Sequence, residues 1–256
     1  MAKKATGRKF AAKKSSGAKS KSKPKVQAKT KSKAAKRTKK KGLTKAAVVR
    51  KGRQLSNWGK WGKRDELGVL NYITPQDVVE AAKLIRRGKV FRLGLNLDEN
   101  GPQNGLFGGR WNPMHHMLAT GTDATRGVQD KSVGLRYADD FINLPTQAAS
   151  QWDALSHVFA EDKMWNGYDA NLVDSNGAHK CGIEKFADKM VGRGVLLDVA
   201  RYKKKDRLKD GYGITVNDLN RTAKSQGVEV RRGDFVLINT GQMADCLDRG
   251  EWGGYG

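Results

Sequence analysis

An α/β fold is predicted for residues 54–256, on three observations. Two helix starts carry their own caps, three runs have strand character, and these signals alternate along the chain. Mixed helix and strand patterns of this kind argue a sheet with helices layered against it.

The segment before the fold is of a different kind. Residues 1–53 contain 22 Lys or Arg and no Asp or Glu, while the remainder carries 28 basic against 26 acidic residues. The sequence pI of about 10.1 therefore describes a tail, and a basic face spread over the folded part is not supported. Up to Lys41 the tail is mostly Lys, Ala, Ser, Thr and Gly, with Phe10 its only aromatic residue. Such a segment buries too little apolar surface to offset the ordering of its backbone, roughly 1–2 kcal/mol per residue, so residues 1–53 are expected to be disordered. Dense cationic charge makes them a candidate for nonspecific contact with nucleic acid or another polyanion. Base stacking is not part of that expectation, because aromatic residues are not interleaved with the charge. The alternative is a solvated appendage.

A secretory signal would need an apolar core near the N-terminus, and a membrane span about 18 apolar residues; neither pattern is present. Cys181 and Cys246 stand far apart without CxxC spacing, which suits a reducing, cytoplasmic setting and excludes a disulfide framework.

The elements follow in order. Thr74-Pro75-Gln76-Asp77 supplies a capping hydroxyl, a proline at the first helical position and an acid three residues after the cap. Val78, Val79, Ala82, Leu84 and Ile85 then form an apolar face, and Gly88 is the expected end. Residues 89–97 alternate Val90 and Arg92 against Phe91, Leu93 and Leu95, which predicts a strand. Residues 194–199 are a mostly apolar run, as in a strand buried on both faces. Thr215-Val216-Asn217-Asp218 repeats the capping device, with Leu219 and Ala223 on the apolar side and Gly227 as the stop. Residues 235–239 form a last strand between the turn Arg231-Arg232-Gly233-Asp234 and Thr240-Gly241.

Several segments, in consistent order over roughly 55–256, resemble the cyclase family of metal-dependent hydrolases, the group that includes kynurenine formamidase. The first is Trp58-Gly59-Lys60-Trp61-Gly62-Lys63-Arg64-Asp65-Glu66-Leu67-Gly68-Val69-Leu70-Asn71-Tyr72-Ile73-Thr74-Pro75. It is followed by Gly101-Pro102-Gln103 and Arg110-Trp111-Asn112-Pro113-Met114-His115. Next come Ser150-Gln151-Trp152-Asp153-Ala154-Leu155-Ser156-His157 and Met164-Trp165-Asn166-Gly167-Tyr168. Gly211-Tyr212-Gly213-Ile214-Thr215 and residues 233–241 complete the set. The resemblance implies a mixed-sheet core flanked by helices, of the swivelling β/β/α type. It also implies hydrolysis of a carbon–nitrogen bond in a small-molecule amide or cyclic amide, as an arylformamidase does, and a homo-oligomer.

The same resemblance places the chemistry in residues 147–157. There the family carries a signature whose first two histidines and aspartate hold a divalent metal, Zn or Mn, and whose last histidine moves protons. Only Asp153 and His157 match outright; Gln147 and Gln151 stand at the two histidine positions. In an extended segment residues two apart share a face, so Gln147, Gln151 and Asp153 would point the same way. Amide oxygens bind zinc far less well than imidazole, so this set would suit manganese or magnesium better. The resemblance implies a further His and Glu in the metal shell after Thr240-Gly241. No counterpart precedes Gly256, so the domain is expected to be incomplete at its C-terminal side.

Each candidate has a plainer alternative. His157 fits an acid/base role; otherwise it is a buried histidine satisfied by a backbone carbonyl. Asp153 is a ligand or a local turn acceptor. Gln147 and Gln151 are ligands or ordinary polar strand positions. Trp152, Trp165, Tyr168 and His115 are candidates to wall the substrate, although large aromatics more often simply pack. Of His115 and His116, at most one should face inward.

Overall fold

The computed structural model describes residues 44–130 and 134–253. The expectation for residues 1–43 lies outside the described residues. The chain divides into two units, Met1–Arg53 and Gln54–Gly256. At the end of the first, helix α1 (Lys45–Leu55) runs through residues expected to lack structure. It buries none of its side chains, so its turns rest on propensity alone.

In the second unit α2 (Pro75–Ala82) starts as its sequence requires. The Thr74 hydroxyl accepts from the Asp77 backbone N–H, the Asp77 carboxylate accepts from the Thr74 N–H, and Pro75 occupies the first turn. The helix ends at Ala82 instead of reaching Gly88. Leu84 and Ile85 remain 53% and 75% exposed, so no burial sustains further turns.

Residues 89–97 form no strand. Their alternation is present, but Val90 and Phe91 are exposed, and the Leu95 N–H donates to the Ser150 hydroxyl instead of to a neighbouring strand. Alternation marks a surface that can pair; a ladder also needs a partner.

An antiparallel hairpin was not foreseen. Strand β1 (Met114–Ala119) pairs with β2 (Asp139–Asn143), from Met114 opposite Asn143 to Ala119 opposite Asp139, with an irregularity between Met117 and Ala119. The connection contains α3 (Gly121–Thr125), capped by Thr120 and Asp123. A loop this long leaves none of the two-residue turn signals by which hairpins are read. A second antiparallel pair, β3 (Val173–Asp174) with β4 (Gly177–Ala178), is minimal.

The core lies around a parallel pair. Strand β5 (Gly194–Asp198) is followed by α4 (Val199–Tyr202), α5 (Val216–Gln226) and β6 (Phe235–Asn239), and β5 and β6 run parallel from Gly194 opposite Phe235 to Asp198 opposite Asn239. Parallel pairing demands such a crossover. Only one face of β5 is covered: Val195 and Leu197 are buried, whereas Leu196 is 52% exposed. Val199, Ala200 and Leu208 form the buried cluster, with Ile214 and Leu219 against it.

Helix α5 is bounded by Thr215 and by Gly227 in the left-handed conformation. At its start the Lys203 hydrogen bond, then those of the Thr215 backbone and hydroxyl, hold the Asp218 carboxyl well below the usual carboxylate range. At its end Gln226 clips onto β5, accepting from the Asp198 N–H (2.8 Å) and donating to the Leu196 carbonyl (2.7 Å).

Helix α6 (Gln242–Arg249) follows Gly241, which has φ +78° and lies against Asp206. A Cβ there would meet the Asp206 carbonyl oxygen at 1.9 Å, so only glycine fits. The observed architecture is therefore mixed α/β, as expected, and among the described residues its strands form three two-stranded sheets. Among the described residues, no helix is long and apolar enough to cross a membrane.

Candidate functional site

Residues 147–150 form a turn and bends and residues 151–153 carry no regular structure, where the sequence suggested one extended segment. Four contacts fix this stretch. Ala148 is fully buried and its N–H donates to the Pro145 carbonyl (2.9 Å). The Gln103 amide donates to the Gln147 carbonyl (2.9 Å), and the Leu95 N–H to the Ser150 hydroxyl (2.9 Å). Trp152 meets Phe235 of β6 edge to face, with ring centroids 5.8 Å apart.

Coiling achieves what the pleat was expected to do. Gln151 Nε2 donates to Gln147 Oε1 (2.9 Å), and Gln147 Nε2 donates to Asp153 Oδ1 (2.5 Å). Gln147, Gln151 and Asp153 thus form one hydrogen-bonded chain. Gln147 and Gln151 line an open cleft of about 380 Å³ together with Leu95, Gln103, Arg110 and Ser150.

His157 lies in the next turn, its N–H donating to the Ala154 carbonyl (3.0 Å). Its side chain is exposed, while neighbouring Ser156 is buried; the alternative of a buried histidine does not hold. Among the described residues no hydrogen bond ties its ring to the three-residue cluster.

The remaining candidates lie elsewhere. Trp165 donates from Nε1 to Asp65 Oδ2 (2.9 Å), and its ring is 6.3 Å from that of Trp61. Asn166 binds the Gly62 carbonyl and receives the Gly59 N–H (2.9 and 2.7 Å). Tyr168 accepts the Met164 N–H at its carbonyl and sits beneath the Lys180 ammonium. These residues join segment 164–168 to segment 58–72 and do not approach the cleft. His115 is on β1, exposed, and bonded through Nε2 to Asp140 Oδ2 of β2 (2.6 Å). His116 stacks on Phe141 from the opposite face of the hairpin.

Two acids of the opening segment also have built surroundings. Asp65 accepts from the Leu67 and Gly68 N–H groups, from Asn71 and from Trp165. Burial pushes its carboxyl up, but these bonds outweigh it and hold the carboxyl below its ordinary range. Glu66 is likewise raised by burial and lowered further by the Cys181 N–H (2.7 Å) and by Lys180. Cys181 is buried, and this burial, with Glu66 and Asp65 nearby, pushes its thiol up to about 11.

The donor set does not match the expected metal. Among the described residues no three His, Cys, Asp or Glu side chains converge as a metal site would require. Within the cluster an amide N–H faces the carboxylate, and the Gln147 oxygen is engaged by Gln151. Three oxygens could be turned to one ion only by rotating both carboxamides and breaking both bonds, and two neutral amides are poor partners for zinc. What the group offers instead is a carboxylate held by an amide, beside further amides that can both donate and accept.

Sequence reasoning assigned no role to Arg110, Gln103 or Ser150. Their signal was available, since each falls inside a segment quoted for its resemblance, but neither Arg110 nor Gln103 stands at a signature position.

Comparison with known proteins follows the same lines. The Cyclase family model matches residues 110–253. A solved structure described as a novel cyclase is similar to this chain at 40% identity, with a TM-score of 0.70, over 76% of this chain and 65% of that one. The present chain thus spans just under two thirds of that protein's length. No curated protein matches.

Proposed function

From the chain's membership of the cyclase family, we propose that it hydrolyses the carbon–nitrogen bond of an amide or cyclic amide, within the swivelling β/β/α form of the fold. The observation that carries this is the Gln151–Gln147–Asp153 hydrogen-bonded chain beside the cleft. An amide substrate presents one carbonyl acceptor and, when unsubstituted or singly substituted, an N–H donor. Carboxamides from Gln147, Gln151 and Gln103 complement both. Asp153, oriented by Gln147, takes the proton from the attacking water. His157, exposed and close in sequence, returns a proton to the departing nitrogen. No step is assigned to a metal, because both carboxamides are engaged within the cluster and neutral amides suit zinc poorly.

The test is an assay of the chain on N-formyl and cyclic amides, with Asp153→Asn and His157→Ala in parallel. Each substitution should lower turnover by about 10²–10⁴-fold, the usual contribution of a positioned acid or base. The Michaelis constant should move much less, since the lost interactions belong to proton transfer. Turnover that survives both changes would remove these residues from the chemistry.

A further inference from the structure

The cleft carries one feature that amide recognition does not use. Arg110 is the single ionised side chain among its described lining residues, and the rest of the wall is apolar or neutral polar. Among the described residues Arg110 pairs with no carboxylate. Its guanidinium lies over the Phe107 ring, 4.7 Å from the centroid, and its backbone N–H donates to the Phe107 carbonyl (3.3 Å). Asp153 is engaged by Gln147 and makes no ion pair with Arg110.

We infer that Arg110 anchors an anionic group of the substrate, so that the amide accepted here carries a carboxylate near the bond to be cut. This rests on the amide-hydrolase reading above, and gives it a substrate class. A guanidinium stacked on an aromatic ring keeps its N–H edge available, and that planar fork matches the two oxygens of a carboxylate. A cation flanked by neutral walls has no internal counter-charge, so an incoming carboxylate gains attraction without displacing a partner. The cleft is of the size that takes a small ligand. The neighbouring amides of Gln103, Gln147 and Gln151 are then free to hold the amide group, and charge and scissile bond are read by separate residues.

Titration calorimetry on the 256-residue chain separates the possibilities. The probe is hippurate, an amide with a carboxylate, and the control is its uncharged methyl ester. Hippurate should bind, and Arg110→Met should weaken that binding about 10–100-fold, the effect of losing a charge-assisted bond. Arg110→Lys should recover part of the loss, because a point charge remains without the fork. Added salt should weaken hippurate binding to the unmodified chain more than to Arg110→Met. The ester should bind weakly and be indifferent to both substitutions. The proposal is overturned if hippurate fails to bind at millimolar concentration, if ester and acid bind alike, or if Arg110→Met binds as the unmodified chain does. Thermal melting of each variant confirms that it is folded before titration. Arg110-dependent binding without hydrolysis would sink the hydrolase reading and leave the anion site standing. Hydrolysis of neutral amides without any Arg110 effect would do the reverse.

Discussion

Segment 58–72 and segment 147–153 are both irregular, and both are quoted for the same resemblance, yet they are held in opposite ways. In the first, partners come from a hundred or more residues away: Trp165 and Asn166 bond to it, and Glu66 receives the backbone of Cys181. Its acids are nearly saturated with donors. In the second, Gln103 and Leu95 hold the backbone and Ser150, but the Gln147, Gln151 and Asp153 side chains bond only to one another, and Gln151, Trp152 and Asp153 remain exposed. Long-range, saturated bonding makes a joint. Short-range bonding beside an open cleft leaves side chains able to exchange one another for a ligand.

The comparison breaks most readily at Asp65. Replacing it by Ala removes acceptors for two backbone N–H groups, Asn71 and Trp165 at once. The expected loss is about 2–4 kcal/mol of stability, read from denaturant unfolding. The same joint should add to the acid lability of the molecule, beside the larger contribution of Asp218 at the start of α5. Asp65 and Glu66 both have carboxyls lowered in the folded state. Their contribution is complete above the unfolded carboxylate range of about pH 4, and is lost as pH falls through the lower folded values. Acid unfolding of the Asp65→Ala variant should therefore be less steep than that of the unmodified chain. An unchanged slope would show that the joint does not depend on ionisation.

Gln151 sharpens the comparison from the other side. Gln151→Ala should alter stability by no more than about 0.5 kcal/mol, as exposed substitutions do, while turnover of an amide falls roughly 3–10-fold, the effect of one neutral hydrogen bond. A large stability loss there would mean that the loop is a joint as well. The smallest effect is expected from deleting residues 1–53. The melting of the remainder should be almost unchanged, while retention on duplex DNA at low salt disappears, since that charge lies in the tail. A truncated chain that still bound DNA with the same salt dependence would put the cation elsewhere.

How far the sequence disclosed this molecule depends on the range of the interactions concerned. Thr74 with Asp77 and Thr215 with Asp218 could be read because a capping box closes within four residues. Strands β5 and β6 could each be read from a short apolar run, although their parallel pairing appears only in the fold. The length of α2 and the fate of residues 89–97 could not, because each depends on what lies against an exposed apolar face. Of the candidate residues, the sequence grouped Gln147, Gln151 and Asp153 together but did not give their geometry, and it added Trp165, Tyr168 and His115, which lie elsewhere. Gln147, Gln151 and Asp153 do meet, but through a turn closed locally by Ala148 on Pro145 and through Ser150 and Gln103, whose partners are distant in sequence. Arg110 remained without a role for the same reason, since its place on the cleft wall is fixed only by the folded chain.

The buried Cys181 turns the joint into a clock. Its thiol, raised to about 11, is almost wholly protonated at neutral pH, and the protonated form does not attack an alkylating or disulfide reagent. Modification at this position must await an opening that parts segment 58–72 from the turn around Cys181. The rate of thiol labelling there therefore counts openings of one named contact. With Cys246 replaced by Ser to leave a single reporter, that rate measures the local motion without unfolding the protein.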